Sequence, residues 1–361
     1  GDTPLIAHGT LKKFISRHQK SGAVLSVLSF NAVDPFSYGR IVRGRTGNAE
    51  RIVEEKDLSG DLKDIREVNS GVYVISQKIS GLLSNIRKNR KKSEYYLTDL
   101  LEIVLKKGMK ADVINIVTTG KEEEFLGVNT VADLSEVQKI LQRDVIMGLM
   151  KKGVMFHDPE SVIVHPEVKI GADSIIYPRV CLEGETVIGK ASTIYQGVRM
   201  VDSSVGKNVK ILDNSVIERS RIDEGSSVGP FAHLRPGSNL GKRVKVGNFV
   251  EVKNSRISDG SKAAHLSYIG DTSIGRNVNI GAGTIICNYD GVKKHRTVIE
   301  DGVFIGSDTQ LIAPVKIGKG AFVAAGSTIT NDVPAKALAI SRTRQKEYAG
   351  WSNKKTKGLK K

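Results

Sequence analysis

The sequence is poor in cysteine and in aromatic residues. Its 361 residues include only two cysteines, Cys181 and Cys287, and aromatic residues make up 5%. Two cysteines cannot build a disulfide framework, and their scarcity suits a reducing compartment, so we expect a cytoplasmic protein. No apolar run approaches the roughly 18 residues that a membrane-spanning helix needs. Residues 1–4 also lack the basic start and the apolar stretch that are typical of a signal peptide.

The chain carries a formal net charge of +16. A basic chain of this kind can bind nucleic acid, acidic lipid or phosphorylated small molecules. We expect neither a nucleic-acid partner, because no nucleic-acid-binding motif accompanies the charge, nor a membrane partner. The favoured interpretation is a phosphorylated small ligand. Part of the charge lies in a run typical of a solvated, disordered tail, which contains Lys354, Lys355, Lys357, Lys360 and Lys361.

One apolar residue returns every six positions from about Val162 to Ile340. This period fits neither an α-helix nor an amphipathic strand, whereas it fits short strands that coil around a shared apolar interior. Each strand then pairs with its equivalent in the next coil, so the sequence predicts an all-β, parallel β-helix. A β-sandwich also has short strands, but they do not keep one spacing for so long. The repeated residues are Val164, Ile170, Ile176, Leu182, Ile188, Ile194 and Met200, then Ile222, Val228, Leu234, Leu240, Val246 and Val252, then Ile274, Ile280 and Ile286, and finally Ile299, Ile305, Leu311, Ile317, Val323 and Ile329.

Before the repeats, strand-like segments alternate with helical patterns, which is typical of α/β layering. We predict strands at 23–31, 51–54, 72–75 and 111–117, and helices at 11–18 and 96–107. Apolar residues at helical spacing over 130–152 predict a long connecting helix. The predicted domains are therefore an α/β domain at 1–129, the linker helix at 130–152, the β-helix at 153–340 and the basic tail at 341–361.

Several short segments carry a recognisable pattern, of which one is His265-Leu266-Ser267-Tyr268-Ile269-Gly270-Asp271. Others in the repeats are at 231–237, 247–253, 279–284, 287–291, 306–310 and 337–342, and before the repeats at 1–4, 38–41, 52–54, 68–71, 96–99 and 127–129. In this order they closely resemble the family of bacterial bifunctional N-acetylglucosamine-1-phosphate uridylyltransferase/glucosamine-1-phosphate acetyltransferases. The resemblance covers nearly the whole chain.

The resemblance implies a Rossmann-like nucleotidyltransferase domain followed by a left-handed parallel β-helix. It also implies acetyl transfer from acetyl-CoA to the amine of glucosamine 1-phosphate, in the synthesis of UDP-N-acetylglucosamine for cell-wall precursors. In the family, a Gly-rich loop that cradles uridine triphosphate precedes the position of Asp2, and this sequence does not contain that loop. We therefore expect an incomplete α/β domain that does not transfer uridylyl groups, because the attacked nucleotide is not positioned. Turnover of radiolabelled uridine triphosphate would contradict this expectation.

Acetyl transfer to an amine requires a base, a donor for the developing oxyanion, and a site that holds both substrates. A histidine is the natural base, because its unperturbed pKa is about 6.5. His265 lies in a polar run at 262–268 that interrupts the apolar rhythm, and the family's catalytic base falls on it. The alternative is an ordinary surface histidine. The resemblance assigns Glu251 the role of orienting and charge-stabilising the imidazole.

The resemblance also assigns the ligand-binding residues. A guanidinium and an ammonium suit a phosphate dianion, and oxygen donors suit Mg²⁺. Glucosamine 1-phosphate is assigned to Arg235, Lys253, Tyr268, Asn279 and Lys294. Acetyl-CoA is assigned to Ala282, Asn288, Tyr289, Ser307, Ala325 and Arg342. In the α/β domain the sugar nucleotide is assigned to Gly39, Glu54, Asn69 and Asn129, and Mg²⁺ to Asp2 and Asn129.

Besides the complete bifunctional activity, which requires the missing segment to be supplied elsewhere, three alternatives stay open at this point. Cys287 suggests an acyl-enzyme on a thiolate, which we favour less than direct attack because no histidine is near it in the sequence. A non-catalytic β-helix that serves only for assembly is a second alternative, and a hexapeptide-repeat acyltransferase with a different acceptor is a third. The family forms homotrimers, and we expect the same association here.

Overall fold

The computed structural model describes residues 3–88, 94–115 and 122–352. Contacts within the chain divide it into two compact units, Gly1–Leu141 and Gln142–Lys361. Among the helices in the described ranges, none combines the length and the hydropathy that a membrane span requires. Asp2 and the tail lysines at 354, 355, 357, 360 and 361 lie outside the described residues.

The first unit is a five-stranded sheet with helices packed on it. The strand order is β3-β2-β4-β1-β5, in which β1 pairs with β5 in parallel and the other neighbours are antiparallel. Short 3₁₀ segments lie at Glu55–Asp57, Gly60–Asp64, Gln77–Asn85 and Glu122–Phe125. The main elements are α1 (His8–Ser21), β1 (Leu25–Asn31), β2 (Arg40–Arg43), β3 (Ala49–Val53), β4 (Glu67–Ile75), α2 (Asp99–Lys106) and β5 (Ala111–Asn115).

Strand β1 is the centre of this unit because it is buried on both faces. Leu25 and Val27 belong to one apolar cluster with Leu100 of α2, while Leu28 and Phe14 of α1 belong to another. The register of β1 against β4 shifts between Val27 and Ser29, which changes the set of residues that faces each layer. The predicted α/β layering is confirmed. The helix predicted from residue 96 begins at Asp99, where Asp99 and Glu102 in the first turn suit the helix dipole.

The second unit begins within a long helix, α3 (Val131–Met150), and continues as strands of two to nine residues. The Gln142 side chain of α3 donates to the Val164 carbonyl at 2.7 Å and accepts from the Val164 N–H at 2.8 Å, which holds the C-terminal half of the helix on the first coils. One 3₁₀ segment lies at Pro159–Ser161. In chain order, β6 to β33 are Met155–Phe156, Ile163–Val164, Lys169–Ile170, Ile175–Ile176, Cys181–Glu183, Val187–Ile188, Thr193–Ile194, Arg199–Val201, Ser204–Val205, Lys210–Ile211, Val216–Glu218, Arg221–Ile222, Ser227–Val228, His233–Leu234, Asn239–Leu240, Lys245–Lys253, Arg256–Ile257, Lys262–Gly270, Thr272–Ile274, Asn279–Ile280, Ile285–Cys287, Thr297–Ile299, Phe304–Ile305, Gln310–Ile312, Val315–Ile317, Phe322–Val323, Thr328–Ile329 and Leu338–Ala339.

These strands form the parallel β-helix that the repeats predict. Each strand pairs in parallel with its equivalent in the next coil, in one sheet of 19 strands and a second sheet of nine. Every one of the repeated apolar residues is between 0% and 7% exposed, so the six-residue period marks the interior. Stacking of these side chains removes apolar area from water along the whole helix, and this burial is the main favourable term in its stability.

Buried serines support the corners of the coils. Four serine hydroxyls each donate to a glycine carbonyl of the next coil, at 2.7–3.0 Å. They belong to Ser174, Ser192, Ser226 and Ser261. Each of these hydroxyls is therefore satisfied although it is buried, which avoids the cost of an unpaired polar group. The corners thus combine tight turns with internal hydrogen bonds from one coil to the next.

Two departures from the regular coil create the candidate site. First, β21 and β23 run for nine residues each around one corner, where other strands stop, and they pair with each other along their length. Second, a loop at 288–296 follows β26, so that the partners Thr272 and Thr297 are 25 positions apart instead of the usual 17 or 18. The gap between the third and fourth runs of repeats in the sequence corresponds to this loop.

Candidate active site

His265 lies at the corner that β21 and β23 share. Asn248 is its partner in the strand register, one coil earlier. The imidazole Nδ1 is 2.8 Å from the Oδ1 atom of Asn248. Because an amide oxygen only accepts hydrogen bonds, Nδ1–H is the donor, and the lone pair therefore lies on Nε2. The side chain of His265 is exposed, so Nε2 is accessible to a substrate.

Glu251 bonds Arg235 in this chain, so the role towards His265 that the resemblance assigns to it stays a prediction. It lies three positions further along β21, opposite Tyr268, and its Oε1 atom accepts from Arg235 Nη1 at 2.7 Å. The orienting group is Asn248, which the sequence did not single out. The available signal was its spacing, since a contact 17 positions away joins equivalent points of two successive coils.

Three cations gather on the face that follows this corner. The backbone N–H of Arg235 bonds Val252, which places Arg235 beside Lys253 on successive coils. Proximity to the Lys294 ammonium, followed by the charge of Arg235, lowers the pKa of Lys253. Glu251 balances only part of this charge, and it raises the pKa of Arg235. Mutual repulsion of this kind is relieved when an anion binds, so the geometry favours a phosphate or similar group.

Tyr268 and Asn288 converge above a glycine next to these cations. A Cβ atom at Gly270 would lie 2.6 Å from the Tyr268 hydroxyl and 2.7 Å from Asn288 Nδ2. A side chain at this position would therefore displace both polar groups. Asn288 is buried, and its amide donates to Asp271 Oδ2 at 2.6 Å.

The structure does not bring Asn279 to this group of residues. It lies on the face that precedes the corner, where its strand neighbours are Lys262 and Phe304. Tyr268 and Lys253 lie on the face that follows the corner. Within one chain, therefore, the residues assigned to glucosamine 1-phosphate occupy two faces of the β-helix.

Four of the residues assigned to acetyl-CoA form a column that continues the corner of His265. Three backbone hydrogen bonds of 2.7–2.9 Å join successive coils at this corner. In chain order, the carbonyls of Leu266, Ala282 and Ser307 accept from the N–H groups of Gly283, Asp308 and Gly326. The Arg342 guanidinium closes the column with a 2.7 Å bond from Nη1 to the Ala325 carbonyl. The column thus consists of Ala282, Ser307, Ala325 and Arg342.

The other two acetyl-CoA residues lie at the loop that follows β26. Asn288 is at its start, and Tyr289 forms an isolated bridge with Lys294 across it. The Tyr289 hydroxyl donates to the Gly291 carbonyl at 2.5 Å, so the tyrosine ring is held within the loop. These residues are therefore near the cations rather than in the column.

The residues assigned to the sugar nucleotide form a small group in the first unit. A Cβ atom at Gly39 would lie 3.5 Å from Glu54 Oε2, and the backbone N–H of Asn69 donates to the Gly39 carbonyl at 2.8 Å. Glu54 accepts from Thr98 at 2.7 Å. Three of the four assigned residues are therefore close together.

Asn129 shortly precedes α3, and its backbone N–H donates to Asp133 at 3.0 Å. Asp2, the other residue assigned to Mg²⁺, lies outside the described residues. Across residues 3–88, 94–115 and 122–352, no three His, Cys, Asp or Glu side chains are grouped as metal ligands.

Comparison with known proteins gives matches to both halves of the β-helix and to the whole chain. A family model described as the GMPPB C-terminal domain matches residues 159–255, and one described as bacterial transferase hexapeptide (six repeats) matches residues 296–331. The chain is 52% identical over 357 residues to the bifunctional protein GlmU of Thermodesulfovibrio yellowstonii, which covers 99% of this chain and 78% of that protein.

Two further relatives carry the same name. The chain is 48% identical to the bifunctional protein GlmU of Carboxydothermus hydrogenoformans, with 96% of this chain and 77% of that protein covered. It is 44% identical to that of Caldanaerobacter subterraneus subsp. tengcongensis, with 99% and 77% covered. The resemblance inferred from the segments around His265 is therefore confirmed, together with the left-handed β-helix of hexapeptide repeats. At 44–52% identity over nearly its whole length, the chain belongs to the family of bifunctional GlmU proteins.

Proposed function

We propose that the β-helix transfers the acetyl group of acetyl-CoA to the amine of glucosamine 1-phosphate, which gives N-acetylglucosamine 1-phosphate and free coenzyme A. The observation that carries this proposal is His265, whose Nε2 is left as an accessible base by the bond to Asn248, on coils that also hold a cluster of cations. Membership of the GlmU family supports it. A non-catalytic scaffold would not explain why an oriented histidine and a cluster of cations lie on neighbouring coils.

The reaction is a direct attack of nitrogen on the thioester carbonyl. Nε2 of His265 accepts a proton from the amine as the N–C bond forms, and the C–S bond then breaks to release the coenzyme A thiolate. Nδ1–H stays bonded to Asn248, so the ring keeps its orientation when it becomes an imidazolium. Holding both substrates in one geometry contributes further, because it removes the entropic cost of bringing them together.

The acceptor's phosphate would be held by Arg235, Lys253 and Lys294. Arg presents a planar fork and Lys a compact charge, and both suit a phosphate dianion. The dianion would offset the repulsion that lowers the pKa of Lys253, so binding would make this cluster more stable. Tyr268, which lies beside these cations, and Asn279 would contact the sugar.

Acetyl-CoA would lie along the column that begins next to His265. Small side chains at Ala282 and Ala325 let an extended pantetheine arm approach the backbone closely. Ser307 offers a hydroxyl between them, and Arg342 offers a cation at the far end for the nucleotide phosphates. Asn288 and Tyr289 would contact the coenzyme near the acetyl end. The basic tail adds further positive charge at this end of the sequence.

We further propose that the active protein is a homotrimer in which neighbouring copies complete each acetyl-transfer site. Phe231, Phe249 and Leu266 are 50%, 57% and 62% exposed, and they follow one another on successive coils at the corner of His265. The two phenyl rings stack at 5.5 Å. An exposed apolar row beside a polar site favours a protein partner over solvent. A neighbouring copy would also bring its own Asn279 face towards the site.

A second function is favoured for the first unit by the closeness of Gly39, Glu54 and Asn69, which suits a sugar nucleotide. The relatives' name describes them as bifunctional, and the resemblance implies uridylyl transfer as the second activity of a full-length family member. Mg²⁺ held by Asp2 and Asn129 stays a prediction, because Asp2 lies outside the described residues. If bound there, the ion would neutralise phosphate charge.

The acetyltransferase proposal is tested by mixing the protein with glucosamine 1-phosphate and acetyl-CoA and measuring the release of thiol. We expect release that depends on both substrates, and an N-acetylated sugar phosphate as the product. A parallel reaction with glucosamine instead of its phosphate tests the cation cluster, and it should be much slower. Equal rates for the two acceptors, or no thiol release, would contradict the proposal.

Asn248 provides a test of the base that does not depend on removing it. In Asn248→Ala we expect kcat to fall at least tenfold with little change in KM, because a hydrogen bond to a charged group contributes about 1.5–3 kcal/mol. In Asn248→Asp, the new carboxylate should raise the pKa of the imidazole. Since only the unprotonated ring is active, the acid limb of the pH–rate profile should then move to higher pH. Unchanged profiles in both variants would show that Asn248 does not orient the base.

A further inference from the structure

Asp271 is a nearly buried carboxylate that the acetyl-transfer proposal does not use. It is 8% exposed and follows the strand that carries Tyr268 and Gly270. Its two oxygens accept hydrogen bonds from two side-chain amides, one on the preceding coil and one on the following coil. Asn254 Nδ2 donates to Oδ1 at 2.5 Å, and Asn288 Nδ2 donates to Oδ2 at 2.6 Å. The carboxylate therefore joins three successive coils.

The backbone of Asp271 extends the same connection. Its N–H donates to the Lys253 carbonyl at 3.1 Å, and its carbonyl accepts from the N–H of Thr297 at 3.3 Å. Asn288 and Thr297 are the first and last residues of the segment 288–297, which we call the clamp loop because it carries Lys294. Both ends of the clamp loop are thus attached to one residue, and that residue is also attached to Lys253.

Inside the clamp loop, bonds between its own residues fix its shape. His295 Nε2 lies 2.6 Å from Asp290 Oδ2, and its backbone N–H donates to the Asn288 carbonyl at 2.8 Å. The Asp290 carboxylate also accepts from the backbone of Val292 and Lys293, and with the His295 bond as the largest cause its pKa is lowered. These bonds brace the clamp loop internally, so its attachment at Asp271 affects the position of Lys294.

We propose that Asp271 is a positioning residue of the phosphate site, which fixes the clamp loop so that Lys294 lies opposite Lys253. This inference rests on the proposed function for the identity of the phosphate ligand. These contacts offset the repulsion between the two ammonium groups. The negative charge of Asp271 also raises the pKa of Lys253, whereas Lys294 lowers it. Without the carboxylate the start of the clamp loop loses its attachment at Asn288, and Lys294 is held less firmly opposite Lys253.

The variant Asp271→Gly tests this proposal cleanly. Asp271 has a φ of 50°, a left-handed conformation that glycine adopts without strain, so the change removes the carboxylate and little else. Asp202→Gly is the matched control. Asp202 has a φ of 45° at the same corner of an earlier coil, and its carboxylate bonds the backbone of Glu185, far from the cations along the chain.

The first measurement is backbone amide hydrogen exchange of residues 288–297 by mass spectrometry, which does not require activity. We expect exchange at least about tenfold faster in Asp271→Gly, because the hydrogen bond from Asn288 to the charged carboxylate is lost while the backbone bond from Thr297 remains. Asp202→Gly should leave this segment unchanged. Asp271→Asn keeps a side chain suited to the left-handed conformation and one acceptor oxygen, so it should fold and give an intermediate rate.

The second measurement is the Kd of glucosamine 1-phosphate by calorimetry without acetyl-CoA. We expect a Kd about tenfold higher in Asp271→Gly, and no further increase when Asp271→Gly is added to Lys294→Met. Normal exchange, a normal Kd, or fully additive effects of the two changes would overturn the proposal. If the unaltered protein releases no thiol while exchange changes as expected, the proposed acetyl transfer fails and the role of Asp271 in fixing the clamp loop stands.

Discussion

Replacing His265 by alanine is expected to lower kcat for acetyl transfer by about 100- to 10,000-fold, the usual contribution of a positioned general base. The KM values should change little, because the cations and the coenzyme column are intact. Initial rates of thiol release from pH 5.5 to 9 measure both effects.

His165 is a matched control for this change. It is exposed, and its Nδ1 accepts from the backbone N–H of Gly184, so it has the opposite tautomer and no role in the site. His165→Ala should have the kcat of the unaltered protein. A similar loss of kcat in both variants would mean that the effect of His265→Ala is not catalytic.

Cys287→Ala distinguishes direct attack from an acyl-enzyme. Burial raises the pKa of the Cys287 thiol, which disfavours the thiolate that a nucleophile needs. We therefore expect Cys287→Ala to keep kcat within about twofold. Loss of turnover in this variant, with a covalent acetyl group on the unaltered protein, would favour the alternative mechanism.

Replacing Gly247 by alanine should have the largest effect on stability. A Cβ atom at this position would lie 1.8 Å from the Ala264 carbonyl oxygen and 2.5 Å from the Ala264 carbonyl carbon. Both atoms belong to the backbone of β23 and cannot rotate away, so the two strands must separate at the corner. We expect a loss of about 3 kcal/mol, which is typical of severe overpacking, and a melting temperature lower by about 6–12 °C.

The same change should also reduce kcat, because Asn248 follows Gly247 and His265 follows Ala264. Gly148→Ala is the control: Gly148 lies in α3 with no atom within 4 Å of a built Cβ, so alanine should stabilise the helix by about 0.5–1 kcal/mol. Thermal unfolding followed by circular dichroism compares the two. Equal melting temperatures for Gly247→Ala and the unaltered protein would refute the close contact.

Most of the β-helix was predictable from the sequence because its period is set by geometry. An apolar residue every six positions identifies the inward side of each face, and a residue such as Ile286 needs no further information to be placed in the interior. The limits of α2 were less certain, since the first turn of a helix depends on local capping rather than on periodicity.

For the candidate site, the sequence indicated candidate residues but not their contacts. His265 stood out in a polar run, whereas Asn248 looked like any other polar residue. Their contact depends on the exact register of two coils, and a shift by one position would turn Asn248 to the other side. The pairing of Glu251 with Arg235 depends on the same register. Asp271 was missed because neither of its amide partners is close to it in sequence.

The column from Ala282 to Arg342 follows successive coils, so distances along it increase by one strand spacing at a time. Neighbouring strands lie about 4.8 Å apart, so any group placed along that edge is set off from His265 by a multiple of this distance. Deletion of one complete coil would leave the apolar interior continuous and bring Arg342 one strand spacing nearer to the imidazole of His265. Gain or loss of whole coils during evolution can therefore change the distance between His265 and Arg342 only in multiples of the strand spacing.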